Sequence, residues 1–165
     1  MASAEESTLA GRIRLRAAQD NDRGFLFQVY ASTRSEELAN IGWSAEQQRA
    51  FLSMQFDAQH RYYHENFPSA QFDVIELDGK PVGRLYVGRG AKEIRVIDIA
   101  LLPEYRGRGH GSSLMRALLS EARAASKQVV LHVEQHNRAS RLYLRLGFVA
   151  AQDAGVYELM VWSAD

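Results

Sequence analysis

The stretch VIDIALLPEYRGRGHGSSLMRALLSEA, residues 96–122, decides how the rest of the chain is read. It opens as an apolar strand, breaks at Pro103, crosses RGRGHGSS (106–113) with three glycines and two arginines, and resumes as an amphipathic helix over 112–125. A helix that begins between Gly109 and Ser112 points its unpaired N–H groups and the positive end of its dipole back toward the strand. Glycines at that place remove the β-carbons that would hold an anion away. Arg106 and Arg108 add forked donors that match phosphate oxygens. The spacing predicts a pyrophosphate cradle, with a plain tight turn as the alternative. Two commoner phosphate loops are excluded: there is no Gly-Lys-Ser/Thr, and Gly107, Gly109 and Gly111 give GxGxG where a dinucleotide fingerprint needs GxGxxG.

Downstream, QVVLHVE (128–134) reads as a strand, 138–146 as a helix ended by Gly147 at its C′ position, and VYELMVW (156–162) as the last strand. Upstream, EIRVIDIAL (93–101) follows a turn at 90–92, and FDVIEL (72–77) pairs with PVGRLYVGR (81–89) through an Asp78-Gly79 hairpin turn. SAEQQRAFLSMQFDAQHRYYHENF (44–67) is a long helix capped by Ser44 with Gln47 at N3. Its apolar region holds Phe51, Leu52, Met54, Gln55 and Phe56, and Pro68 ends it. DNDRGFLFQVYASTR (20–34) is a helix with Asp20 or Asp22 as N-cap and Phe25, Leu26, Val29 and Tyr30 at helical spacing, and IRLRA (13–17) is the first strand. The order predicts a mixed α/β (α+β) fold: a central mixed sheet of six to seven strands flanked by helices, with a strand-helix-strand crossover at its centre.

With 165 residues, 46% of them hydrophobic, the chain is long enough for one sizeable core. One domain is expected over 13–165, after a disordered polar tail at 1–12. Basic and acidic residues balance at 20 each, which argues against nucleic acid or an anionic membrane as partner. The absence of cysteine excludes disulfides and thiolate metal sites. Nowhere does an apolar run reach transmembrane length, and a soluble, cytoplasmic protein is the expectation.

Arg106-x-x-Gly109-x-Gly111, preceded by IALLPEY and followed by an amphipathic helix, resembles the acyl-CoA pyrophosphate loop of the GNAT superfamily of N-acetyltransferases. NRASRLYLRLGF (137–148) resembles that family's Asn-x-x-Ala/Ser-x-x-Leu-Tyr-x-x-x-Gly-Phe segment. The resemblance spans nearly the whole chain and is specific in its C-terminal half. It implies acetyl-CoA as co-substrate, no metal, and direct attack by an amine in a ternary complex. It also implies that the strand before the loop splays from the next one and that backbone at Ile99, Ala100, Leu101 and Leu102 lines the pantetheine arm. Arg106, Gly107, Arg108, Gly109, His110, Gly111 and Ser112 would cradle the pyrophosphate. Asn137 and Ser140 would help hold the cofactor, with Tyr143 at the thioester as general acid.

The base has several candidates. His132 shares a strand face with Val130 and Glu134 and titrates in the useful range, Glu134 is the next choice, and Asp98 either pairs with an arginine or lines the acceptor site. Tyr143 and His132 each have an ordinary use as well, as a rim aromatic and as a hydrogen-bonded core residue. His60 and His64, one helical turn apart, lack the third ligand of a metal site. Trp43, Glu36, Glu37, Tyr62, Tyr63 and Phe67 frame either an acceptor amine or an ordinary helical hairpin. A non-catalytic acyl-CoA-binding domain is the alternative to an enzyme, and a homodimer through an exposed terminal strand is a further one. Polyamines, amino acids, antibiotics and protein amino groups all fit the acceptor side.

Overall fold

A computed structural model describes residues 12–134 and 137–164, with backbone alone at 152–154. The elements in chain order are β1 (Ile13–Ala17), a 3₁₀ turn (Asp20–Asp22), α1 (Arg23–Leu38), α2 (Ala45–Asn66), β2 (Gln71–Leu77), β3 (Lys80–Arg89) and β4 (Glu93–Leu101). A second 3₁₀ turn (Pro103–Tyr105), α3 (His110–Ala125), β5 (Gln128–Glu134), α4 (Ala139–Arg145), β6 (Val149–Ala154) and β7 (Tyr157–Trp162) complete the chain. The strands form one mixed seven-stranded sheet in the order β1-β2-β3-β4-β5-β7-β6, the mixed α/β class that the element order predicts. The chain folds as two compact units, one running to Leu85 and including Ala100–Arg106, the other made of Tyr86–Ile99 and the residues from Gly107 on.

In the first unit, β1 runs antiparallel to β2 from Ile13↔Leu77 to Ala17↔Asp73. The hairpin after β2 turns on Asp78 (φ 52°) and Gly79 (φ 81°), the two positive-φ residues that a tight right-twisting hairpin requires. Asp78 also exchanges bonds with Arg12: its N–H donates to the Arg12 carbonyl at 3.0 Å and its Oδ1 accepts the Arg12 N–H at 2.9 Å. These two bonds tie Arg12 to the hairpin turn, and residues 1–11 of the expected tail lie outside the described residues. Ser44 and Gln47 close the expected capping box on α2. The core joins Leu26, Tyr30 and Leu38 of α1 to Leu52 and Phe56 of α2 and to Val74 of β2.

Three expectations for this unit are corrected. Met54 is 63% exposed, because Leu52 and Phe56, four residues apart, already define the buried stripe of α2. The first helix runs four residues past Arg34 to Leu38, so Glu36 and Glu37 are helical and not part of a loop. Asp22 does not cap α1 with its side chain. Its carboxylate instead takes a bidentate bond from Arg16 (2.8 and 2.9 Å) and the Gln19 N–H at 2.8 Å, while Arg16 reaches Glu76 at 2.9 Å.

In the second unit, α3 buries Leu114, Met115, Leu118, Leu119 and Ala122 along one stripe. Its Glu121 is held by Arg89 of β3 at 2.7 and 3.0 Å. Gly147 (φ 101°) closes α4 as expected, with the Phe148 N–H donating back to the Tyr143 carbonyl at 3.0 Å. The strand β6 was not expected from sequence: VAAQDA lacks alternation and carries a register shift between Ala150 and Gln152. Its presence overturns the terminal strand as an exposed edge, since β7 lies between β5 and β6 and is paired on both sides.

The Arg16 bonds hold the Asp22 carboxyl below its ordinary range, against the opposing effect of burial. A depressed folded value contributes stability that is complete above the unfolded carboxylate value, near 4, and is lost as pH falls through the folded value. Asp22→Asn is expected to lower unfolding stability at pH 7 by about 1–3 kcal/mol, and the gap to the parent to close below about pH 4. Urea denaturation of both proteins across pH 2–7 checks this, and a pH-independent gap would assign the loss to packing.

Candidate active site

β4 and β5 run parallel, and their ladder contains four pairs, from Glu93↔Gln128 to Val96↔Leu131. Beyond Val96 and Leu131 the ladder stops, although β4 continues through Leu101 and β5 through Glu134. On its other side β5 stays paired to the end, with His132↔Leu159, Val133↔Glu158 and Glu134↔Tyr157. Ile97, Asp98 and Ile99 of β4 thus lie past the last register pair with β5. This is the splay that the resemblance implies.

The glycine segment follows the second 3₁₀ turn. Gly107 (φ 72°) and Gly109 (φ 87°) lie in the left-handed region, where a side chain would be strained. A β-carbon at Gly107, Gly109 or Gly111 would meet nothing within 4 Å, so the space in front of each is open. Gly109 is the N-cap of α3, and no side chain caps it. No N-cap side-chain oxygen therefore competes for the N–H groups of the first turn, which is what an anion needs. His110, the first residue of α3, is buried, Ser112 is half-buried and Arg108 is exposed.

Arg106 makes two bonds within the first unit. Its Nε donates to the Leu101 carbonyl at 2.9 Å and its Nη2 to the Ser32 Oγ at 3.2 Å. Asn137 is also engaged: its Oδ1 accepts the Ala139 N–H at 2.9 Å, and the Ser140 Oγ donates to its carbonyl. Asn137 and Ser140 together shape the start of α4.

Tyr143 is 7% exposed and packs edge-on against Phe148, with ring centroids 5.7 Å apart. Burial, and then the negative charge of Asp98, pushes its phenol up to about 12. On β5, His132 is exposed, with its Nδ1 3.2 Å from the Arg95 Nη1. A guanidinium only donates, so Nδ1 is the acceptor and the proton of the neutral ring sits on Nε2. Burial and then Arg95 lower the value of this histidine, favouring the neutral form. Its lone pair is thus directed at an arginine rather than at open space. Glu134 is half-buried at the end of β5, and its carbonyl accepts the Asn137 N–H at 3.1 Å. The second unit by itself holds the start of α3, the β4 residues 97–99 past the ladder, Tyr143, Asp98, His132 and Glu134.

The helical candidates fall into the first unit. His60 and His64 lie 4.4 Å apart in an aromatic column, His64 stacking on Phe72 at 4.1 Å and His60 near Phe56 at 5.6 Å. Among the described residues, no group of three His, Asp or Glu could hold a metal ion. Trp43 meets Phe51 edge-on at 5.1 Å, and Tyr62, Tyr63 and Phe67 form a ring cluster at the end of α2. Sequence reasoning missed Ser32, Gly83 and Arg95. Gly83 carried a signal, a lone glycine inside the strand PVGRL, which marks a close backbone approach; Ser32 and Arg95 carried none.

A model of the acetyltransferase (GNAT) family matches residues 35–148. Mycothiol acetyltransferase from Corynebacterium glutamicum (strain R) is 40% identical over 91 residues, 52% of this chain and 31% of that protein, so the chain spans less than a third of that relative's length. Among solved structures, the PaiA N-acetyltransferase of Thermoplasma acidophilum in complex with coenzyme A is similar with a TM-score of 0.70 at 17% identity, over 93% of this chain and 99% of that one. An acetyltransferase from Thermus thermophilus is similar with a TM-score of 0.65 at 20% identity, over 92% and 97%.

The Arg95 contact has a measurable consequence. In a proton NMR titration, His132 is expected to stay neutral below the ordinary histidine value of about 6.5, and Arg95→Met to move its midpoint upward. A midpoint unmoved by the substitution would show that Arg95 does not face the ring.

Proposed function

This chain belongs to the acetyltransferase (GNAT) family, and we propose that it transfers the acetyl group of acetyl-CoA to a primary amine by direct attack while both are bound. The single observation that carries this reading is the bare start of α3: two glycines at positive φ, open space in front of three, and no side chain capping the helix. Gly107, Gly109, Gly111 and the first-turn N–H groups would hold the pyrophosphate. Backbone over 99–102, at the end of β4 and just past it, would line the pantetheine arm and hold the thioester carbonyl. Residues 13–165 act as one catalytic domain in the cytoplasm.

In the reaction the amine nitrogen attacks the thioester carbon, the carbon–sulfur bond breaks, the amine loses one proton and the sulfur gains one. We assign the sulfur side to Tyr143. A phenol at about 12 stays protonated at neutral pH and can donate a hydrogen bond as charge develops on sulfur. Complete transfer to a thiolate of ordinary value, near 8.5, would run uphill by about 5 kcal/mol. The tyrosine therefore stabilises the departing sulfur through its O–H while the proton arrives from solvent. On the amine side, the His132 lone pair faces Arg95, which leaves Glu134 as the favoured base, acting directly or through a water. The kinship with a mycothiol acetyltransferase makes amines of that type the first acceptors to screen.

Calorimetric titration with acetyl-CoA tests the cofactor. Micromolar or tighter binding is expected in the parent and none in Gly109→Glu, which places a side chain, strain and a like charge in the cradle; no binding by folded parent protein would end the reading. For the chemistry, Tyr143→Phe is expected to lower kcat by about tenfold to a hundredfold with acetyl-CoA affinity unchanged. In the parent, no alkaline loss of activity should trace to this phenol below about pH 11. Binding without thiol release across an amine screen would mark the chain as a non-catalytic acyl-CoA-binding domain.

A further inference from the structure

We infer that Arg106 is a positioning residue for the end of β4 and not a ligand of the phosphates: braced by Ser32, it holds the Leu101 carbonyl and thereby fixes the backbone that meets the thioester. This rests on the acyl-CoA reading above. The geometry belongs to the first unit, where three separate contacts act on consecutive peptide planes.

The first contact is at Gly83. A β-carbon there would collide with the Ala100 carbonyl oxygen and lie 3.1 Å from the Leu101 Cα, so β3 and β4 approach as only glycine permits. The Ala100 carbonyl is pressed onto β3, and because a trans peptide is planar, the N–H of Leu101 in the same plane points the opposite way. The next peptide is clamped at both ends. The Leu102 N–H donates to the Val82 carbonyl at 2.9 Å, and the Leu101 carbonyl, directed away from β3, accepts from Arg106 Nε at 2.9 Å. The guanidinium is in turn steadied by the Ser32 Oγ at 3.2 Å, and the Ser32 hydroxyl donates to the Val29 carbonyl at 2.7 Å.

With both planes held, the Leu101 N–H is a fixed donor on the edge turned away from β3. A carbonyl laid along that edge receives a hydrogen bond without any backbone rearrangement, the property that lets a backbone donor favour developing oxyanion charge. Removing the guanidinium frees one side of the 101–102 peptide and leaves the bare start of α3 as it was. The loss should therefore fall on the polarisation of the thioester rather than on affinity for the nucleotide.

Isotope-edited infrared spectroscopy with acetyl-CoA carrying ¹³C at the thioester carbonyl reads this without an acceptor, alongside calorimetry with acetyl-CoA and with its 3′-phospho-ADP fragment. The parent is expected to shift the bound carbonyl stretch to lower frequency. Arg106→Ala should lose most of that shift while both affinities stay within about threefold, a change of less than about 0.7 kcal/mol. Arg106→Lys, which retains one donor, should restore part of the shift, and Ser32→Ala should weaken it in the parent and add nothing in Arg106→Ala. If Arg106→Ala weakens the 3′-phospho-ADP fragment tenfold and leaves the carbonyl stretch of bound acetyl-CoA alone, the arginine is a phosphate ligand and the inference falls. It falls equally if the parent binds acetyl-CoA with no carbonyl shift. A folded parent that binds no acetyl-CoA would overturn the acyl-CoA reading instead. Thermal melting of each variant controls for folding, and since Arg106 is exposed, Ser32→Ala and Arg106→Lys carry the test should Arg106→Ala fail to fold.

Discussion

A backbone N–H or C=O taken out of water must find a partner, and the ladder of β4 with β5 covers four of the nine residues of β4. Everything distinctive about the candidate site follows from that interrupted ladder. A strand that outruns its ladder inside a sheet is an invitation to a strand-shaped ligand. It is also a liability, because an unconstrained strand end would rotate its peptides toward whatever partner it could find. The first unit answers that liability locally. Gly83 brings the β3 backbone hard against Ala100, Val82 takes the Leu102 N–H, and Arg106 takes the Leu101 carbonyl.

The same division of labour recurs elsewhere in the first unit, where charged side chains serve the backbone more than they serve a ligand. Arg16 joins β1 to the 3₁₀ turn through Asp22 and to β2 through Glu76. Asp22 in turn holds the Gln19 N–H, so one carboxylate sets the chain's path into α1. These groups are largely shielded from solvent, so their hydrogen bonds are stronger than those of exposed pairs such as Arg23 with Asp57. A net charge of zero thus conceals a built network and says nothing of where the charges act.

What was legible in the sequence was local. Asp78-Gly79, Ser44 with Gln47, Gly147 and the glycines at 107 and 109 each specify a backbone conformation through their own chemistry, and the turn, the cap and the positive-φ positions are there. What was not legible depends on register and on partners distant in sequence. Met54 faces solvent because the stripe of α2 is set by what it packs against. VAAQDA becomes a strand because β7 offers it an edge, not through its own propensity. Arg106 reads as a phosphate arginine from its neighbours in sequence, whereas its bonds go to Leu101 and to Ser32, 74 positions away. The pairing of Arg95 with His132 across β4 and β5 follows only once the parallel register is known.

Tyr143 shows why local pattern and local electrostatics must be argued together. Its place in a Leu-Tyr-x-x-x-Gly-Phe segment is the ground for the role proposed for it on the sulfur side, and Gly147 with Phe148 locks the helix end that carries it. The pattern alone does not say which protonation chemistry the phenol can perform. Burial and the charge of Asp98 act in the same direction, both disfavouring the phenolate. A group so biased is a poor source of a free proton and a dependable source of a hydrogen bond. That bias fits the role proposed for it: a thiolate needs its charge stabilised as it departs more than it needs a proton at that instant, and a phenol that stays protonated at neutral pH supplies that hydrogen bond.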